Sequence, residues 1–309
     1  MRLAGTVFAA LGLLCTGVEA QQLEFRRVSR TGDELLSYRW LDLDRRERTT
    51  SFTLTRDAIR EAETSFREFS MAAMWRHLDV ALRDEVERFG DGAKISLTRD
   101  IDGLRWTVSA RDQKAADALS KRVNDRLERE QVAYLAKHLR RKVERRVLVD
   151  FAAATKALQG PMRAVAKALG ETPDIANSDR ARVALALGFF QEIPYAVLDD
   201  KERRGGDFLP APALLAQNRG DCDSKVVALA AVLRTYAPSR RLVVVTMPEH
   251  AILAVDLPAE QGEWTIRSQA RQYVALEAAG PAMSPIGRVT AETAKYLKDG
   301  RGIEIWPVN

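Results

Sequence analysis

A cysteine set among charges at the entry to an apolar helix is where residue types and spacing in this chain predict chemistry. Asn218-Arg219-Gly220-Asp221-Cys222-Asp223-Ser224-Lys225 runs into Val226, Leu229, Val232, Leu233 and Tyr236, which share one face of a helix. Cys222 therefore falls at the cap or in the first turn. There, unsatisfied backbone N–H groups and the positive end of the helix dipole favour a thiolate. Gly220 allows a sharp turn on entry and leaves room for a substrate to approach. A cysteine that merely packs belongs inside the apolar stripe rather than at its polar entry. The placement predicts a nucleophile with a pKa below the free-thiol value of about 8.5.

A thiol nucleophile needs a base, and the base needs a group to orient it. The chain has 3 His, and His250 is the one that follows Cys222. It comes after the strand-like Leu242-Val243-Val244-Val245-Thr246-Met247 and opens Ala251-Ile252-Leu253-Ala254-Val255, an apolar run of buried-strand length. From the mouth of such a strand an imidazole can reach back to a helix N-terminus. Two acids compete to orient it. Glu277 follows the strand-like Tyr273-Val274-Ala275-Leu276, whereas Asp256 lies further along the strand of His250 itself. A side chain on a neighbouring strand meets the ring side-on, which favours Glu277 and leaves Asp256 as the alternative. His77 and His138 sit on predicted helices without metal-ligand spacing, so they read as structural and no metal site is predicted.

Gly220-Asp221-Cys222-Asp223-Ser224-Lys225, its helix, and Glu249-His250-Ala251-Ile252-Leu253 on a strand resemble the bacterial transglutaminase-like superfamily. The likeness runs from about Ala181 to Val289. It takes in Gln191, Ile193, Pro194 and Tyr195, and the stretch Glu277 to Pro281 with Ile286-Gly287. One position departs from the commonest pattern: Ser224 stands where an acid is usual two residues after the Cys, with Asp223 adjacent. The resemblance implies a papain-like fold in which a helix bearing the Cys packs on an antiparallel sheet bearing His and acid. It also implies a Cys222-His250-Glu277 triad, and it makes Gln191 the candidate for holding an oxyanion. The chemistry would be attack on an amide carbonyl of a protein or peptide and formation of a thioester, with no cofactor. Water as acceptor gives a peptidase or amidase, which is the expected outcome because water is always available. An amine acceptor gives a cross-linking transglutaminase, and a binding module that kept the fold is the alternative outside catalysis.

Other segments must position these residues. Leu23 to about Thr55 reads as extended. A helical pattern then runs to about Phe89 and stops at Gly90-Asp91-Gly92. A hairpin follows over Lys94–Thr98 and Leu104–Val108, turning at Asp100-Ile101-Asp102-Gly103. From Asp112 one long amphipathic helix is predicted towards Thr155, with Leu139 and Val143 in its apolar stripe. Gly160-Pro161 is the predicted boundary between an α+β module over 21–159 and the catalytic domain over 160–309, an α+β chain overall. A truncated chain starting near Pro161 is then expected to keep a folded core.

Nothing in the composition points to disorder, collagen or an integral membrane protein: 46% of residues are hydrophobic, 29% are charged, and 18 are Gly. The net charge of +5 is densest over Lys137–Arg146. That run makes anionic envelope components a more natural partner than nucleic acid, but the plainer reading of a solvated helix face is the favoured one. Residues 1–20 have the form of a signal peptide: Arg2, an apolar run from Leu3 to Cys15, then Val18-Glu19-Ala20. The run is too short to span a bilayer permanently, and no later segment has transmembrane length. The protein is therefore expected in the periplasm or secreted, with Cys15 removed and Cys222 its lone thiol. The intact mass of envelope-fraction protein should correspond to a chain beginning near Gln21; an unprocessed N-terminus or an acyl group on Cys15 would refute this.

Overall fold

The computed structural model describes residues 22–90, 92–100, 103–144, 146–198, 208–280 and 283–308. The expected leader and the polar stretch around Gly205-Gly206 lie outside them. The described chain is α+β. Strands β1 (Glu24–Ser29), β2 (Asp33–Leu41) and β3 (Glu47–Thr55) form an antiparallel sheet in that order. Residues alternate buried and exposed along β2 and β3, as expected of a sheet with one face on a core.

The predicted helix after Thr55 is two helices, α1 (Arg56–Glu68) and α2 (Met71–Phe89). Phe69 is fully buried between them, and the Ser70 hydroxyl accepts from Ala73 N at 3.0 Å to cap α2. A capping serine ends one helical register and begins another, which outweighs a continuous apolar spacing. The hairpin β4 (Lys94–Asp100) and β5 (Gly103–Ser109) forms as expected. With α2 and α3 (Gln113–Lys137) it encloses a small core around Leu82, Val86, Leu119 and Val123.

The long helix expected to reach Thr155 ends at Lys137. A second hairpin follows, β6 (Arg140–Val143) and β7 (Arg146–Val149), and then α4 (Phe151–Gly170). Leu139 and Glu144 take positive φ, 57° and 53°, which breaks the helix where an apolar stripe alone predicted continuity. The basic run is thereby not one solvated face. Arg140 is buried and stacks over Phe69 at 3.9 Å, Arg141 lies over Trp306, and Arg146 pairs with Glu304. The favoured reading of a solvated helix face is therefore replaced by a dispersed set of cations engaged with the protein itself.

The boundary expected at Gly160-Pro161 falls inside α4, whose buried side chains run across it from Phe151 to Leu169. Helices α5 (Asp179–Glu192), α6 (Ala211–Gln217) and α7 (Cys222–Tyr236) complete the helical layer. A five-stranded antiparallel sheet follows, in order β10-β11-β9-β8-β12: β8 (Leu242–Met247), β9 (His250–Val255), β10 (Thr265–Ser268), β11 (Arg271–Leu276) and β12 (Glu304–Pro307). Helix α8 (Ala291–Asp299) precedes β12. One sheet face, with Val244, Leu253 and Leu276, joins the helices. The other, with Val245, Ile252 and Tyr273, packs against Tyr296, Leu297 and Ile305.

The helical core does not stop at the predicted boundary. Phe189 of α5 meets Tyr38, Trp40 and Phe52 at 5.1, 5.6 and 6.4 Å between ring centres, and the Tyr38 hydroxyl donates to Leu215 O at 2.6 Å. Residues 21–159 and 160–309 therefore share a core instead of forming two independent units. No helix among the described residues is long and apolar enough to cross a membrane. A fragment of residues 161–309 should lack a cooperative thermal transition by circular dichroism, because it cuts α4 and exposes Phe189. In the full chain Trp40→Ala should cost about 3–5 kcal/mol. A cooperative melt for the fragment would show that the shared core is dispensable.

Candidate active site

Cys222 is the first residue of α7, and three contacts fix the turn that presents it. The Asp221 carboxylate accepts from Ser224 N at 3.0 Å as the helix N-cap. Gly220 N donates to Pro194 O at 3.2 Å, and Ala196 N donates to Gly220 O at 3.1 Å, which ties the loop after α5 to the entry of α7. The buried Ser224 hydroxyl accepts from Leu209 N at 2.8 Å. Gly220 is required by close approach, since a Cβ there would stand 2.6 Å from Leu214 Cδ1.

His250 is set by a two-residue hairpin. Met247 pairs with His250 across Pro248-Glu249, and Glu249 takes a φ of 60°, a left-handed value that costs energy in a residue with a side chain. The imidazole Nε2 and Glu277 Oε1 are 2.6 Å apart. The strand register explains the meeting: Leu276 pairs with Leu253, so Glu277 continues β11 towards the His250 end of β9. Asp256 stands at the other end of β9, where its carboxylate accepts from Arg241 N at 2.6 Å. The structure thus pairs His250 with Glu277 and keeps Asp256 away.

Glu277 is almost wholly buried, and Thr293 Oγ1 in the first turn of α8 donates to its second oxygen at 2.8 Å. Its backbone is held from below. Gln191 Nε2 donates to Glu277 O at 2.6 Å and to Ser284 O at 2.9 Å. Lys225 Nζ donates to Ile193 O and, at 2.7 Å, to Ala279 O. Gly280 closes the loop with a φ of 62°, its Cα pressed so near α5 that a Cβ would lie 2.6 Å from Gln191 O. Gln191 is therefore not an oxyanion donor. It is fully buried, does not line the Cys222 cavity, and spends both amide hydrogens on carbonyls.

Cys222 and His250 face one cavity of about 520 Å³, together with Asp221, Asp223, Glu249, Arg146 and Glu304. Nε2 is taken by Glu277, which leaves Nδ1 as the imidazole nitrogen available to the thiol. Burial works against an imidazolium at His250, but the hydrogen bond and charge of Glu277 outweigh it and raise its pKa. Burial also pushes the Cys222 thiol well above the ordinary range, with Asp223 and Asp221 adding to the effect; the N–H groups of Ala251 and Asp223 pull the other way. Cys222 therefore rests as a thiol, contrary to the expectation from its helix position alone. The helix terminus helps the thiolate, yet desolvation and two carboxylates overcome it. Burial and the neighbouring Asp221 push Asp223 up to about 7, against the pull of His250 and Arg140.

Thr293, Lys225 and Gly280 were not singled out from the sequence as parts of the site. Lys225 directly follows the Cys222 motif and a buried strut role was not legible from it; Thr293 has only the Thr-x-x-Thr of a helix cap as its signal. Among the described residues no group of three or more His, Cys, Asp or Glu is arranged to hold a metal ion. No family model matches the chain, and no curated protein or solved structure matches it.

Burial pulls the Lys225 amine down to about 7. Between that value and the unfolded value near 10.5 the unfolded chain binds the extra proton, so this group makes the fold more stable as pH rises. The stability of the wild type relative to Lys225→Met should increase from about pH 7 to 10, measured by denaturant unfolding, and be flat below about pH 6. A difference independent of pH would refute the buried amine.

Proposed function

We propose that this chain is a cysteine-dependent amide-bond hydrolase, a peptidase or amidase that acts on proteins or peptides through a thioester. The observation that carries the reading is the His250–Glu277 pair, 2.6 Å apart, in the same cavity as a cysteine at a helix N-terminus. A Cys-bearing helix packed on an antiparallel sheet that carries the His and the acid is the arrangement expected of a transglutaminase-like enzyme. We assign the chain to that class on these grounds, with export to the periplasm or beyond as the accompanying expectation.

In the proposed reaction, His250 Nδ1 takes the Cys222 proton as Sγ bonds to the amide carbonyl carbon. Glu277, itself fixed by Thr293, holds the ring and offsets the imidazolium charge. The N–H groups of Ala251 and Asp223, which already act on the thiol, are donors close to the charge that develops at the reacting centre. The C–N bond breaks as the imidazolium protonates the departing amine, leaving a thioester on Cys222. His250 then deprotonates a water that attacks the thioester; the acid leaves and the thiol regains its proton.

Because the resting pair is thiol and imidazole, activity requires a neutral His250. The acid limb of kcat/KM for peptide amide hydrolysis should have its midpoint above the ordinary His value of about 6.5. Glu277→Gln removes the partner that raises His250, so that midpoint should move down while kcat falls roughly a hundredfold. Cys222→Ala should abolish turnover and leave the circular dichroism spectrum intact. An acid limb that Glu277→Gln does not shift would exclude the pair from catalysis.

A further inference from the structure

One wall of the Cys222 cavity comes from the N-terminal half of the chain. Arg146, Leu148 and Val149 of β7 line it together with Cys222 and His250. Leu148 and Val149 are neighbours in a strand, so their side chains point to opposite faces. None of Arg140–Val143 lines the cavity, although β6 is the strand paired with β7. A cavity that touches both faces of β7 and nothing of β6 runs along the free edge of β7. The hairpin is fixed in this position from β12: Arg146 donates to Glu304, which also lines the cavity, and Arg141 lies over Trp306.

The register gives that edge its chemistry. Asp150 N donates to Leu139 O at 2.9 Å, and the pairing continues with Leu148 opposite Arg141 and Arg146 opposite Val143. Antiparallel couples alternate between those that bond each other and those that do not. Counted from Asp150, Leu148 and Arg146 bond β6, whereas Val147 and Val149 turn their N–H and C=O away from it. Among the described residues neither valine makes a backbone hydrogen bond to another element. Val149 is nonetheless almost wholly buried. A buried strand edge with unmet donors and acceptors is one that a further strand completes.

We propose that the edge of β7 is the docking strand for the substrate: an extended polypeptide enters the Cys222 cavity as a third strand on β6–β7 and bonds Val147 and Val149 through its own main chain. This rests on the reading of Cys222 as the residue that attacks that chain. An extended main chain fits because its N–H and C=O groups repeat with the same two-residue period as the edge. The N-terminal half thereby gains a part in the reaction, since it grips the substrate in the cavity that holds Sγ. Main-chain pairing also tolerates varied side chains, so the substrate class is unfolded or extended segments rather than one defined residue.

Disulfide capture reads this docking without turnover. Cys222 exchanges with the disulfide of a short alanine peptide ending in cysteamine, forming the mixed disulfide and releasing the other half as a thiol. Mercaptoethanol sets the competing equilibrium, and intact mass gives the fraction bound. Two further peptides carry N-methyl groups on alternate amides, one on the odd set and one on the even. On the full-length protein one methylated peptide should match the parent. The other should be displaced by roughly tenfold less mercaptoethanol, because only one set of amides faces β7. Val149→Pro removes an edge N–H and no bond to β6, and it should bring the parent down to the weaker level. Equal displacement of all three peptides would overturn the docking, whatever the variant does. Failure of every peptide to exchange with the folded protein would overturn it too, and would count against Cys222 as nucleophile. A dimer in light scattering that Val149→Pro dissociates would assign the edge to a second copy of this chain instead. Capture with the alternating pattern but no hydrolysis of peptide amides keeps the docking and removes the hydrolase reading; hydrolysis without the pattern does the reverse.

Discussion

The buried carboxylate of Glu277 is the constraint around which the site is organised. A lone charge taken out of water is costly, and the molecule tolerates this one because His250 and Thr293 meet both oxygens. Those partners come from different elements, β9 and α8, so the requirement to satisfy one carboxylate aligns a sheet strand with a helix. The loop that carries it is held independently, by the Gln191 amide on one side and the Lys225 amine on the other. Two long polar side chains are thereby committed to carbonyls in the interior. Unpaired, those carbonyls would each carry a desolvation cost of about 1–3 kcal/mol.

The same burial sets the state of Cys222. A helix N-terminus contributes fixed partial charges at the edge of α7, but its effect is limited to the first turn and competes with desolvation and with Asp221 and Asp223. Asp221 shows the conflict within one residue: it is the cap that starts the helix, and its charge raises the pKa of the thiol beside it. In the proposed reaction this resting balance assigns the proton transfer to His250 as the bond forms, instead of a pre-formed ion pair.

The N-terminal strands belong to the half that carries Cys222 and His250 in energetic terms. Phe189 is locked among Tyr38, Trp40 and Phe52, and it lies on α5, the helix that also carries Gln191. Packing of the last turn of α5 on the N-terminal strands therefore supports, two residues on, the side chain that holds the loop bearing Glu277. The α2–α3 region with its β4–β5 hairpin keeps a separate small core, and the β6–β7 hairpin leads from it back to α4.

What the sequence determined by itself was local. The polar entry to an apolar helical face put Cys222 at the start of α7, and a β-period run after a turn put His250 at the start of β9. The helix start at Asp112 was legible for the same reason, because the donor its side chain satisfies is three residues away. The breaks at Phe69-Ser70 and at Leu139 were not, since an apolar stripe is compatible with one helix or with two packed on a common core. Glu277 could be preferred to Asp256 by supposing adjacent strands, but only the β9–β11 register brought it to the imidazole. Tertiary structure alone decided that Gln191 is a strut, that Thr293 completes the acid, and that burial leaves Cys222 a thiol. Each depends on side chains distant in sequence and on how much water they exclude, and neither quantity is encoded in local spacing.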